Sequence, residues 1–572
     1  MKNQITKILI ALGVFSLMGV SHASAADVYM STTGTKNTGK STTGVWTDAN
    51  CYGNLHAAMA AMSSGDTLTI DDGTYTGDSN SIDQNNHPPS GTSKSNMTVV
   101  RARNIPCQNG VACNQPLRTY FQATLLDATH YSGSLFADDR GDMANPDTIQ
   151  YIKFWGIKWN NVSVGQWWSY IYFKQCAFLG IVDGNSSAFD IDGTNNLIED
   201  SVAYGKGRYK FLAYDLSRDS QRRGPGNNIF RRCIARNDWA IRNDATQDPI
   251  ATFVSYYNRH TAFLNSIDID SDSPVFWRDG GNDEFNGAFS QPVDDSTGGA
   301  HRMRILGSMS INNAMGSVWG ASPATGTNAQ NEITDFAAIH VGGGINLRGG
   351  GTINRMTMVD VGLDNFTYRS TNQSGAILQG NEGVNSWDNT VAVTNSTFKD
   401  IVDAPFLGAA SGDYVDTYLV GSGGNTPTHR QTYNPSISGL LYPVRIEQGS
   451  ALGTAGSGGG QIGASILYRI GSDGQFQDDP GWDQPTATPL WPYPNEDWIK
   501  AEMASMPVTI NGDTMPPATR GFATSTGKRL DGVNPVTLTS YIWESLGNQI
   551  PAEIYGGSTV TAPAAPTGLT VN

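Results

Sequence analysis

Between about residues 148 and 403 the chain repeats one short pattern of apolar and polar positions. It is legible when YIKFWGIKW, YFKQCAFLG, LIEDSVAYG, IFRRCIARN, AFLNSIDID, RILGSMSIN, INRMTMVDV and AVTNSTFKD are laid beneath one another. A small residue recurs at one place: Gly156, Cys176, Ser201, Cys233, Ser266, Ser308, Thr357 and Ser396. An apolar residue usually follows it (Ile157, Val202, Ile234, Ile267, Met309, Met358), and another stands three places before it (Phe173, Ile198, Phe230, Phe263, Ile305, Val393). The pattern predicts two short strands meeting at a tight corner, repeated with loops of lengthening size between copies. Asn-Gly and Asp-Gly hairpin signals do not recur at that register, which argues against an antiparallel sandwich. The predicted fold is all-β: a right-handed parallel β-helix, a solenoid whose rungs stack about 4.8 Å apart around one continuous core.

The two ends carry the helical signals. Leu55, Ala58, Met59 and Met62 form one face of a short helix, and Ser63-Ser64-Gly65-Asp66 turns the chain into a strand at 67–70. An open first rung would leave apolar core and strand edges facing water, so this helix is expected to close it. Residues 404–470 are rich in Gly, Ser and Thr, ending in GTAGSGGGQIG, and predict irregular late rungs. Pro494-Asn495 precedes a helix at about 496–503, and a second helix is expected at about 540–546, closed by Gly547-Asn548. Together these suit a carboxyl-terminal cap. The expected organisation is a signal segment at 1–25, an amino-terminal cap with first coils at 26–147, the β-helix core at 148–470, a cap region at 471–560 and a tail at 561–572.

The start YMSTTGTKNTG, the helix after it and GDTLTIDDGTYTG resemble the amino-terminal coil of secreted right-handed β-helix proteins of the pectate-lyase-like superfamily. The likeness covers about residues 28–77, and the ladder extends it to about residue 403. It implies an exported, carbohydrate-active protein. The motifs that carry it build a cap and a first coil and contain no catalytic group of that family. The family's catalytic Lys and Arg pattern and its calcium carboxylates do not recur in recognisable order, so no catalytic residue is carried over. The tail APAAPTGLTVN resembles the first strand of a fibronectin type III module and is too short to fold alone.

Composition narrows the partners. Lys2 and Lys7, the apolar run from Ile8 to Val20 and Ala23-Ser24-Ala25 read as a secretory signal, with export to the periplasm or the medium expected. No later stretch is long and apolar enough to read as a membrane span. A net charge of −15 argues against nucleic acid or an anionic membrane as partner of the whole surface. Five Cys are too few to build the fold. Cys107 and Cys113 could close a small loop, whereas Cys176 and Cys233 lie two rungs apart and read as buried thiols.

Against this acidic background, residues 201–245 are basic. Lys206, Arg208, Lys210, Arg218, Arg222, Arg223, Arg231, Arg232, Arg236 and Arg242 face only Asp215, Asp219, Asp238 and Asp244, with Tyr204, Tyr209, Tyr214 and Trp239 interleaved. Cations with aromatic faces are what an anionic polysaccharide requires, since carboxylates pair with Arg and Lys while sugar rings stack. Neutralising a uronate carboxylate acidifies the C5 proton, which a basic side chain then removes before β-elimination. The candidate bases are Lys206, Lys210 and His260, with Arg208, Tyr209, Arg232, Arg236 and Trp239 as candidate substrate contacts. The competing reading is structural: Lys174, Glu199 and Arg231 alternate in sign on successive rungs and would pair with one another.

In SIDIDSD, Asp268, Asp270 and Asp272 alternate with apolar residues and would project from one face. Three carboxylates suit Ca2+, a hard cation taking oxygen ligands, or else form a solvated face. No EF-hand spacing, GxSxG or HExxH occurs. The reading favoured by these features is a polysaccharide lyase acting on a uronate-containing polymer or another cell-envelope glycan. Two alternatives stay open: a non-catalytic glycan-binding or structural solenoid, and a glycoside hydrolase using paired carboxylates such as Asp238 and Asp268.

Overall fold

The computed structural model describes residues 26–82, 85–122, 149–165, 168–182, 186–214, 226–238, 251–256, 260–271, 287–291, 303–320, 331–347, 350–362, 384–402 and 405–556. Residues 1–25 and 561–572, with Trp239 and Asp272, lie outside the described residues. The described chain is a right-handed parallel β-helix built on one continuous system of parallel strands. Its first sheet runs from Asp27–Met30 through Thr67–Ile70, Thr98–Ala102, Ile149–Trp155, Trp168–Lys174, Leu197–Glu199, Ile229–Arg231 and Ala262–Leu264 to Arg304–Leu306, then onward into the longer strands. A second sheet runs from Gly73–Thr76 to Asp416–Val420, and a third begins at Val162–Val164. Phenylalanines stack from rung to rung inside, as in Phe154 on Phe173 at 4.9 Å and Phe230 on Phe263 at 5.4 Å.

The corner between the first and second sheets explains the small residue of the ladder. At each turn one residue takes a left-handed backbone: Gln175, Asp200, Arg232 and Asn265 have φ of 51°, 51°, 52° and 49°. The next residue carries a hydroxyl or thiol for a reason. Ser201 Oγ accepts the Cys176 backbone N–H at 3.1 Å, Ser266 Oγ that of Cys233 at 3.3 Å, and Ser308 Oγ that of Ser266 at 3.1 Å. A strand-to-strand corner leaves these N–H groups without a ladder partner, and the hydroxyl of the next rung supplies one. Two of the eight aligned residues stand one place off. Gly156 is itself the left-handed residue, with φ 72°, and Ile157 takes the stacking place. Thr357 lies opposite Ala337 and Thr397, so Met356 stacks, its N–H donating to Ser396 Oγ at 3.1 Å. One rung, with its corner at Asp335 and Phe336, has no small residue and escapes the alignment.

At the amino end, Leu55–Ala60 buries Leu55, Ala58 and Met59 against the first rungs, its Asn54 side chain accepting the Ala57 N–H. The helices Glu496–Ala504 and Leu538–Trp543 do not stack on the last rung. They belong to a long strap, from about residue 435 to 556, that runs back along the outer face of the second sheet. Leu179, Tyr204, Ile234, Ile267, Ile269, Met309 and Ile339 point outward into a second apolar layer with Leu490, Trp491, Trp498, Met503, Phe522 and Trp543 of the strap. The helix pair lies on the flank because that is where the uncovered apolar side chains are. Cys107 and Cys113 form a disulfide, while Cys51, Cys176 and Cys233 are free and buried. Among the described residues no helix is long and apolar enough to cross a membrane.

Candidate functional site

The residues singled out from the sequence are distributed over different corners of the coil, and the strap covers most of them. Lys206 follows a second-sheet strand and is fully buried, its ammonium paired with Asp513 of the strap. Lys210 lies at the start of the third-sheet strand Tyr209–Tyr214, its amine donating back to the carbonyls of Lys206 at 2.8 Å and Gly207 at 2.9 Å. Arg208 is partly exposed, with its guanidinium 5.5 Å from the ring of the buried Tyr209. His260 sits where the chain re-enters the first sheet, with φ 57°, and its carbonyl accepts from Gln477. The structure therefore brings Lys206 to Lys210 and leaves His260 on another edge.

Arg232 and Arg236 are fully buried and spoken for. Arg232 pairs with Asp200 at 2.6 Å, Glu199 at 3.1 Å and Asp473 at 2.7 Å. Burial works against its charge, but Asp200 and Glu199 outweigh that and hold its pKa above the ordinary value. Arg236 pairs with Asp238 at 2.6 Å and donates to the carbonyls of Met503 and Ala518, and Arg520 of the strap reaches the same Asp238 at 3.0 Å. Arg231 donates to Glu199 at 3.0 Å and to strap carbonyls at Ser472, Gln475 and Trp482. These arginines face the protein's own carboxylates and carbonyls, because removing a guanidinium from water is tolerated only when it is paired and hydrogen-bonded.

The acidic candidates separate as well. Asp268 lies opposite Ala235 and alternates with outward Ile267 and Ile269, so its carboxyl points into the coil. There it accepts from Ser271 at 2.6 Å and Ser310 at 3.3 Å, and burial pushes its pKa up to about 7. Asp270 turns the corner with φ 53° and accepts from Asn312, Tyr541 and the Phe522 N–H. They share no metal-binding face. With Asp268 interior and Asp238 held by Arg236 and Arg520, these two carboxylates do not frame a substrate.

Glu199, Asp200 and Asp473 do bring ligand oxygens within 4.8 Å of one another. Their charge is already met, however. Arg231 and Arg232 lie on Glu199, Arg232 and Lys174 on Asp200, and Lys174 at 2.9 Å on Asp473. Despite burial, these cations hold Glu199 well below the usual carboxylate range. A divalent ion would have to displace guanidinium groups, so this donor set does not fit Ca2+.

A different constellation stands on the outer face of the first sheet, just below that network. Register places Arg101, Trp155 and Lys174 one above another on successive rungs, with Lys153 and Tyr172 in the adjoining column. Lys153 Nζ lies 4.6 Å from the Trp155 ring centre and 4.7 Å from that of Tyr172. The Arg101 guanidinium stands 5.4 Å from the same Trp155 ring. Lys153 is partly exposed, and among the described residues no carboxylate lies within ion-pairing distance of it. Burial and the neighbouring Lys174 charge lower its pKa to about 8. The sequence reading missed this amine because Lys153 lies inside YIKFWGIKW, where a lysine at an outward strand position looks like ordinary surface. The available signal was Trp155 two places on, on the same face.

No family model matches the sequence, and no curated protein does. Among solved structures, the chain is similar to pectate lyase Pel9A, at 16% identity over 77% of this chain and 97% of that one, with a TM-score of 0.38. It is similar to a rhamnogalacturonan lyase at 14% identity over 74% and 94%, with a TM-score of 0.38. It is also similar to the A-module of the mannuronan C-5 epimerase AlgE6 of Azotobacter vinelandii, at 12% identity over 67% and 91%, with a TM-score of 0.27. The parallel β-helix itself stands on the strand pairing described above.

Proposed function

We propose that the protein is a lyase that cleaves a uronate-containing polysaccharide on the outer face of the first sheet, with Lys153 as the base. The observation that carries this reading is an amine whose pKa is lowered to about 8, held between two aromatic rings with no carboxylate partner among the described residues. A base poised near the working pH removes protons best. Arg101 stands on the rung before it, placed to meet a carboxylate and favour the carbanion that forms next to it. In the reaction Lys153 Nζ takes the C5 proton, the C5–H electrons form the C4–C5 double bond, and the C4–O bond breaks. The leaving oxygen takes its proton from water. Trp155 offers apolar surface for the sugar ring.

The test is a panel of polyuronates followed by absorbance of the new double bond. Lys153→Ala is expected to lower kcat at least 100-fold with binding retained, within the span usual for a lost general base. Wild-type kcat/KM should climb with pH to a plateau above about 8, since only the neutral amine accepts a proton. Turnover that survives Lys153→Ala would remove Lys153 from the role. Retention on the polymer without product from any member of the panel would favour the non-catalytic binding reading.

A further inference from the structure

The face that carries Lys153 is open on one side and closed on the other. Below it, toward the first rungs, Thr67, Val99 and Arg101 keep part of their surface in water. Directly above it the strap segment 472–484 lies across the sheet. Phe476 is buried there, 5.6 Å from the Tyr170 ring and 6.3 Å from that of Tyr172, the residue opposite Lys153. Three backbone carbonyls of the segment are held by Arg231, which fixes it in place. The segment is also acidic. Asp473 sits on Lys174 at 2.9 Å, Asp478 on Lys94 at 3.0 Å beside Asp479, and Asp483 on Arg304 at 2.7 Å. Asp473 and Asp478 remain about half exposed, at 51% and 44%.

The groups suited to a polyanion are arrayed along the coil axis, Arg101 then Trp155 with Lys153 beside it, rather than along a strand. A polymer following them meets a fixed wall one rung beyond Lys153, made of the buried Phe476 ring and the backbone that Arg231 holds. Resting on the lyase reading above, we propose that segment 472–484 ends the site, so that the enzyme engages a chain end of the polyuronate and reacts at a fixed, short distance from it. Phe476 is then the specificity determinant that excludes mid-chain binding.

Two measurements decide it. The first is product length at low conversion. One short unsaturated product, with viscosity falling slowly relative to double bonds formed, is expected; a broad ladder of lengths with rapid loss of viscosity overturns the proposal while leaving the lyase reading intact. The second does not need turnover. Lys153→Ala is mixed with polyuronates of several defined lengths and the bound stoichiometry is read by sedimentation. One protein per chain at every length is expected, and stoichiometry that grows with chain length overturns the inference. End-limited binding without product would sink elimination and keep the wall. No binding to any polyuronate would remove both. In a Phe476→Ala variant, longer products are expected at least twofold enriched; an unchanged length distribution overturns the wall.

Discussion

Asp268 shows how far a single side chain departs from the surface pattern around it. Its carboxyl is fully buried, meets Ser271 and Ser310, and has its pKa raised to about 7 by desolvation. The unfolded chain would lose that proton near pH 4, so between about 4 and 7 the folded state binds the extra proton. Its stabilising contribution is therefore complete below about pH 4 and is lost as pH rises through about 7. Asp268→Asn, which keeps the shape and cannot ionise, is expected to raise stability at pH 8 by roughly 1–4 kcal/mol. At pH 4 it should change little, and chemical unfolding at the two pH values checks both. An equal effect at both would mean that packing, not ionisation, governs the site. The sequence shows IDID as apolar and polar in alternation, and the natural reading puts the polar residue outside. The strap inverts that assignment: Ile267 and Ile269 are outward and still buried, leaving Asp268 the interior. Lys153 was illegible for the opposite reason, since its lowered pKa comes from burial and from Lys174, which lies on the next rung, distant in sequence.

At the scale of the element, the corner between the first two sheets was the most legible feature, because it joins two demands in consecutive residues. One position must accept a left-handed backbone, which suits Asn265 and Asn395, and the next must place a small polar atom over the N–H of the preceding rung. Where the demands are met differently the alignment slips: Gly156 takes the first role, Met356 fills the second without a hydroxyl, and Phe336 belongs to a rung with no small residue. The strap was illegible as a flank layer, because two short helices near a terminus look like a cap whichever surface they cover. The hydroxyl relay has a measurable worth. Ser266→Ala leaves the buried Cys233 N–H without its partner and should cost about 1–3 kcal/mol, read as a lowered Tm. Beneath the strap the stakes are larger. Glu199→Gln removes the charge that Arg231, Arg232 and Lys174 share, in a site where Glu199 and both arginines are fully buried. A loss of about 3–5 kcal/mol is expected, with faster proteolytic cutting within 472–484 as those carbonyls lose a firmly held Arg231. A variant as stable as wild type would show that the network serves something other than anchoring.

For the molecule as a whole, the coil is not a finished surface without its strap. A β-helix with all apolar side chains turned inward needs nothing on its flank, but here the second sheet is apolar on both faces, with Phe178, Ala203 and Ala235 inside and Leu179, Tyr204, Ile234, Ile267, Ile269, Met309 and Ile339 outside. Each large side chain among these contributes roughly 1.5–3 kcal/mol once covered, so the strap and the coil are one thermodynamic unit rather than a body and its ornament. The strap also supplies the countercharges: Asp513 for Lys206, Arg520 for Asp238 and Asp473 for Lys174 and Arg232. Removing residues 435–556 would thus expose a contiguous apolar sheet and leave buried cations unmatched at the same time. The expected outcome is a chain that accumulates as aggregate, or that binds a hydrophobic dye strongly and unfolds without a cooperative transition. A soluble monomer with the strand signature of the full chain and a single sharp melt would show that the rungs suffice alone. In that case the wall beside Lys153 would be an addition to an already stable coil, and its removal would become the most direct way to ask whether the site then admits a polymer from its middle.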